Sequence, residues 1–127
     1  MELEGEIFSG TSRGREYINL FFERIQGTID IKPYLGTLNV RLRKNINLRP
    51  YETKTIGHVI RTGHKEIELG FVPAMIEDVD CWIITPRGKV YPDNEIEIIS
   101  ELNLREKLNL KDGSVVKIKL TGKRRLI

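Results

Sequence analysis

A single cysteine, Cys81, leaves the chain no partner for an intramolecular disulfide, which excludes a small disulfide-stapled scaffold. Set beside Trp82 in an apolar stretch, that thiol reads as a buried and inert core group. The two histidines, His58 and His64, have no cysteine at metal spacing, so nothing points to zinc. The longest apolar run covers residues 71–76, far short of the ~20 residues a membrane-crossing helix needs. The acidic start, Met1-Glu2-Leu3-Glu4-Gly5-Glu6, has neither the basic opening nor the apolar stretch of a signal peptide, so a cytoplasmic location is expected. Charge of one sign is also scarce. The 21 basic and 18 acidic residues leave +3, scattered except for Lys123, Arg124 and Arg125 at the tail. A generic polyanion binder gathers its basic residues on one face. The balance suits a phosphorylated small ligand at least as well as a nucleic acid. The familiar phosphate loop G-x-x-x-x-G-K-[ST] is absent, and no G-x-G-x-x-G follows a strand.

What is present is a chain of 127 residues that reads as one domain, 1–127, without repeats, low-complexity tracts or an interdomain linker. A chain this long buries roughly two thirds of its unfolded surface, enough for a core of its own. Most segments alternate with period 2, as half-buried strands do. Strands are predicted at 3–9, 17–21, 38–42, 56–60, 65–71, 81–85, 95–99 and 115–120. Residues 21–26 read as a short helix, and a second helix is predicted after Asn103, which can cap it with Glu106 three residues on. In the strand at 95–99, Ile96 and Ile98 should face the core and leave Glu97 on the opposite, solvated face. Many short strands with little helix predict a mostly β domain, a small antiparallel barrel or sandwich with one or two short helices.

Three segments carry chemistry. In Ser9-Gly10-Thr11-Ser12-Arg13-Gly14-Arg15, two glycines permit backbone that turns successive N–H groups toward an anion, with two arginines and hydroxyls nearby. An ordinary polar hairpin loop has the same composition. In Pro33-Tyr34-Leu35-Gly36-Thr37-Leu38-Asn39-Val40, Thr37 and Asn39 share a strand face and offer hard oxygens of the kind Mg²⁺ takes; an exposed polar face gives the same pattern. In Leu102-Asn103-Leu104-Arg105-Glu106-Lys107-Leu108, a helix start with Arg105 in its first turn can hold a phosphate or a base edge, or be a capped packing helix.

Taken together, EGEIFSGTSRGREYINL, KPYLGTLNVRL and EIEIISELNLREKLNLKDGSVVKIKL resemble the CTP-dependent riboflavin kinases of archaea, nearly end to end, with residues 45–77 matching least. The resemblance implies a small Greek-key barrel of the cradle-loop type, and transfer of the terminal phosphate of CTP to riboflavin to give FMN. It implies that Thr11, Ser12, Arg13, Gly14, Arg15 and Glu16, next to Gly10, form a nucleotide-binding loop. Thr37 and Asn39 fall on two Mg²⁺ positions. Asn103, Leu104, Arg105 and Glu106 fall on a second nucleotide-contacting segment. Glu97 falls on a flavin-contacting glutamate and is the candidate base. Two positions depart from the pattern: Ser12 stands where a further glycine is usual, and the family's flavin-contacting threonine is replaced near Lys89. Tyr34, Phe71, Trp82 and Tyr91 are the candidate aromatic walls for the flavin. Many members carry an N-terminal winged-helix domain. This chain starts at the kinase-like part, so no DNA-dependent regulation is expected. The partners implied are CTP and riboflavin, with no nucleic acid and no membrane, acting as a monomer or weak homodimer. Two other readings stay open. Leu104 to Leu108 followed by Asp112-Gly113-Ser114-Val115-Val116 also resembles swapped-hairpin transcription regulators, which bind DNA as dimers. A catalytically inactive flavin- or nucleotide-binding relative is the second.

Overall fold

Alternation in the final strand is carried out to the residue: Val116, Ile118 and Leu120 are buried while Val115, Lys117 and Lys119 are exposed. The computed structural model describes residues 1–10, 13–60, 65–87 and 92–124, with backbone alone at 13–17, 58–60 and 65–67. Its elements in chain order are β1 (Glu2–Phe8), α1 (Arg13–Ile29), β2 (Leu38–Leu42), a 3₁₀ turn (Arg49–Tyr51), β3 (Lys54–Ile60), β4 (Lys65–Ile76), β5 (Val79–Pro86), β6 (Glu95–Ile99), α2 (Leu104–Lys107) and β7 (Val115–Leu120).

All pairings are antiparallel, and the order β4-β5-β6-β2-β1-β7 closes on itself through a β4–β7 pairing, giving a six-stranded barrel with β3 added outside β4. Closure removes the free edges that an open sheet would expose. One edge of β4 pairs with β3 up to Phe71 and with β7 from Ala74. Pro73, which has no N–H to donate, stands at that handover, and its carbonyl accepts from the Thr121 N–H at 3.1 Å.

The core has two layers. Inside the barrel lie Ile7, Leu38, Val40, Val72, Ile83, Ile96, Ile98 and Ile118 among others. A second layer sits on the outer face, where Ile18, Phe21, Ile25 and Ile29 of α1 pack on Ile56, Leu69, Phe71, Ile84 and Ile99. The strand predicted at 17–21 is therefore part of a helix of 17 residues. Its five residues are β-formers around a single Asn19, but the buried positions Ile18, Phe21, Ile25 and Ile29 recur every three or four residues, and burying that row against the sheet decides the period. Burial contributes roughly 1.5–3 kcal/mol per side chain of this size. The other predicted strands are present, with β4 longer than expected. Asp30, at φ 55°, closes α1 with its N–H on the Gln26 carbonyl at 3.0 Å. Among the described residues no helix is long and apolar enough to cross a membrane.

Candidate functional site

Antiparallel register brings distant segments to one place. Phe8 pairs with Asn39, and Asn39 pairs in turn with Glu97, so the end of β1, the start of β2 and the middle of β6 are neighbours. At this place a groove of about 300 Å³ is lined by residues from three predicted segments: Gly10, then Thr37 and Asn39, then Asn103, Leu104 and Arg105.

Close approach explains one glycine. A Cβ on Gly10 would lie 2.5 Å from Asn39 Nδ2 and 2.6 Å from its Oδ1, so any side chain here would push the Asn39 amide from its place. Gly36 has φ +151°, a conformation side chains rarely adopt, and its open side receives the Tyr34 ring. That ring is half-exposed in the groove. It is held at both ends, by its N–H on the Ser100 carbonyl at 2.8 Å and by its hydroxyl accepting from Asn103 Nδ2 at 3.1 Å.

Charge at the other end of the groove comes from Arg105. Its Nη2 donates to Asp112 Oδ1 at 2.7 Å and to the Phe8 carbonyl at 3.2 Å, and Ser9 donates its hydroxyl to Asp112 Oδ2 at 2.8 Å. The Arg105 guanidinium and then the Ser9 hydroxyl hold the Asp112 carboxyl below the usual carboxylate range. Asn103 caps α2 as predicted, accepting from the Glu106 N–H at 3.4 Å. With four residues, however, α2 is too short to offer a helix-terminus anion site, so the cation here is the Arg105 side chain. Glu106 sits in that single turn and does not line the groove.

Thr37 and Asn39 bring a hydroxyl and an amide oxygen to the groove wall. Among the described residues there is no group of three or more His, Cys, Asp or Glu arranged for a metal. A cation bound at Thr37 and Asn39 would complete its shell from water and ligand phosphates, the habit of Mg²⁺, so the donor set fits that ion.

Glu97 is where expectation and structure differ most. It does stand opposite the barrel interior, but it is only 7% exposed rather than solvated. Phe8, Asn39, Glu97, Ile84 and Phe71 form one outer-face row across five strands, and α1 covers Ile84 and Phe71. Glu97 therefore sits between a polar groove edge at Asn39 and a dry apolar layer.

The candidate aromatics separate in the same way. Tyr34 lines the groove, whereas Phe71 is fully buried beneath α1 and is not a wall for any ligand. Trp82 is half-buried and borders a different cleft with Ile31, Asp80 and Leu102. Thr11, Ser12, Lys89 and Tyr91 lie outside the described residues, and Arg13, Gly14, Arg15 and Glu16 are known only as the first helical residues of α1. The glycine loop is thus shorter than predicted, since Gly14 already belongs to the helix.

Sequence reading missed a second polar cluster. Glu52, 2% exposed, accepts Arg87 Nη1 at 2.7 Å and Nη2 at 2.8 Å, together with the Thr85 hydroxyl. It borders a cleft of about 400 Å³ with Asn47, Arg49 and Asp93. Burial pushes its carboxyl up, but the bonds to Arg87 and Thr85 and the charges of Arg87 and Arg49 outweigh that and leave it lowered. No local pattern announces a pair 35 residues apart. Asp112 is likewise absent from the sequence-predicted site residues.

Residues 7–120 match the family model CTP-dep_RFKase, described as a domain of unknown function, DUF120. A riboflavin kinase of Methanospirillum hungatei is 32% identical over 126 residues, covering 94% of this chain and 57% of that protein. One of Methanosarcina mazei is 32% identical over 123 residues, covering 91% of this chain and 55% of that protein. One of Methanococcus aeolicus is 32% identical over 125 residues, covering 94% of this chain and 98% of that protein. The chain spans about half the length of the first two and nearly all of the third. With the model matched along most of its length, the chain belongs to the CTP-dependent riboflavin kinase family.

Proposed function

We propose that this protein is a CTP-dependent riboflavin kinase, a cytoplasmic enzyme that forms FMN and CDP. The observation that carries the reading is the single groove in which Gly10, Thr37, Asn39, Asn103 and Arg105 meet, with Glu97 directly across β2–β6 from Asn39. Backbone, a cation and hard oxygens at one end are what a nucleoside triphosphate and its metal require. Arg105, and Arg13 and Arg15 from the first turn of α1, would neutralise phosphate charge. The N–H groups of that turn, which have no acceptor within the helix, would add backbone donors. Thr37 and Asn39 would hold Mg²⁺, which supplies charge neutralisation at the phosphates when bound.

In the reaction the terminal ribityl oxygen bonds to the γ-phosphorus as the bond from that phosphorus to the β–γ bridging oxygen breaks, and CDP leaves. The hydroxyl proton passes to the Glu97 carboxylate. Phosphoryl transfer asks mainly for alignment and charge stabilisation, so a preformed groove and one positioned carboxylate suffice. The small net charge, scattered apart from three basic residues at the tail, supports a reading without DNA affinity. The test is to incubate the protein with riboflavin, Mg²⁺ and each nucleoside triphosphate in turn and to separate FMN by chromatography. CTP should be clearly the better donor. No FMN from any triphosphate would refute the kinase reading, and equal yields from ATP and CTP would refute the donor assignment.

A further inference from the structure

Arg105 has five N–H donors, and in this structure two protein acceptors occupy the same terminal nitrogen: Asp112 Oδ1 at 2.7 Å and the Phe8 carbonyl at 3.2 Å. Both contacts are thus made by Nη2, which leaves the Nε and Nη1 donors of a groove-lining arginine outside them. The second carboxylate oxygen of Asp112 takes the Ser9 hydroxyl at 2.8 Å, and Ser9 immediately precedes Gly10. One carboxylate thus joins the segment entering the glycine loop to the arginine arriving from α2.

The turn that carries Asp112 does not need its side chain. The Gly113 N–H bonds the Ile7 carbonyl at 2.8 Å, and the Ile7 N–H bonds the Ser114 carbonyl at 2.9 Å. Inside the turn, the Lys111 N–H bonds the Ser114 hydroxyl at 3.0 Å and the Ser114 N–H bonds the Lys111 carbonyl at 2.9 Å. Backbone and Ser114 hold the turn, which leaves the Asp112 carboxylate for another purpose.

We propose that Asp112 is a positioning residue for nucleotide phosphate, holding Arg105 and the start of the glycine loop in their binding arrangement before the nucleotide arrives. This rests on the kinase reading above. An arginine already held through one nitrogen gives up little freedom when its remaining donors meet a phosphate, and a carboxylate with two simultaneous donors keeps both segments in register. The same bonds allow an opposite role, in which Asp112 is a counter-ion that competes with phosphate. The two roles differ in the sign of the effect on nucleotide affinity.

The experiment measures KM for CTP, KM for riboflavin, kcat and thermal midpoint in Asp112→Ala, Asp112→Asn, Ser9→Ala and the Ser9→Ala/Asp112→Ala double variant. The expected result is a rise in KM for CTP of roughly tenfold in Asp112→Ala, with KM for riboflavin unchanged and kcat within about twofold. Asp112→Asn keeps the shape and loses the charge, so it should fall between wild type and Asp112→Ala. Ser9→Ala should add little once Asp112 is gone, because both act through one carboxylate. If Asp112→Ala does not fold, the Asp112→Asn and Ser9→Ala values decide. An unchanged KM for CTP refutes positioning, and so does a lowered one, which marks the competing counter-ion. Equal rises in KM for CTP and riboflavin refute it too, as general loosening. Wild-type protein that makes no FMN instead refutes the kinase reading, and this proposal falls with it.

Discussion

Replacing Arg87 by methionine keeps most of the side chain's length but removes the guanidinium that faces Glu52. The Glu52 carboxylate is 2% exposed and takes two bonds from Arg87, at 2.7 and 2.8 Å. In Arg87→Met the Thr85 hydroxyl is the one donor left among its described side-chain partners. Breaking one side of a buried ion pair costs about 3–5 kcal/mol, because the remaining charge stays out of water without compensation. A chain of this length has total stability on the order of 6–19 kcal/mol, so the loss is a large fraction. It corresponds to a fall in thermal midpoint of roughly 10–20 °C. The pH dependence has a definite sign. In the wild type the Glu52 carboxyl is held below its ordinary value of 4.5, so its contribution to stability is complete above that value and is lost as pH falls through the folded-state value. Without Arg87, burial is opposed only by the Thr85 bond and the Arg49 charge, so the carboxyl rises from its wild-type position and the variant loses less on protonation than the wild type does. The gap between the two proteins should therefore be widest near neutral pH and shrink below about pH 4.5. Glu52→Gln combined with Arg87→Met should recover part of the loss, since no buried charge is left. Circular dichroism melts at pH 7 and pH 4 measure all of this. A loss under about 1 kcal/mol, the level of an exposed pair, would refute the reasoning. So would a gap that does not change with pH.

Two further predictions concern the reaction. Glu97→Gln should slow FMN formation by at least roughly tenfold while leaving CTP affinity intact, because general-base help is worth 10²–10⁴-fold and the phosphate contacts lie on other segments. A rate near that of wild type would remove the base role, and a raised KM for riboflavin with unchanged kcat would make Glu97 a binding contact only. Asn39→Ala should weaken magnesium-dependent turnover far more than it alters the melt, with a stability cost within about 0.5 kcal/mol of zero. Titrating Mg²⁺ against initial rate checks this, and an unaltered magnesium curve at normal rate would return Thr37 and Asn39 to plain strand residues.

Within a single strand the sequence was sufficient. Leu38, Val40 and Leu42, or Val116, Ile118 and Leu120, show their buried side through an alternation that needs no partner to be visible. Asn103 as a cap was equally legible, since its bond to the Glu106 N–H spans three residues. The glycine loop, Thr37 with Asn39, and the Asn103 to Arg105 segment each carried their own chemistry, and a groove does gather Gly10, Thr37, Asn39, Asn103, Leu104 and Arg105. Tertiary structure alone decided three things. Residues 17–21 have the aromatic and β-branched composition of a strand, and the packing of Ile18, Phe21, Ile25 and Ile29 on the sheet makes them helix. That same packing gives the sheet a second buried face, so alternation placed Glu97 away from the barrel interior but not out in water. Glu52 with Arg87, and Asp112 with Ser9, are joined across 35 and 103 positions of chain. Contacts of that range leave no periodic trace, because what selects them is the pairing of strands distant in the chain and not the neighbourhood of either residue.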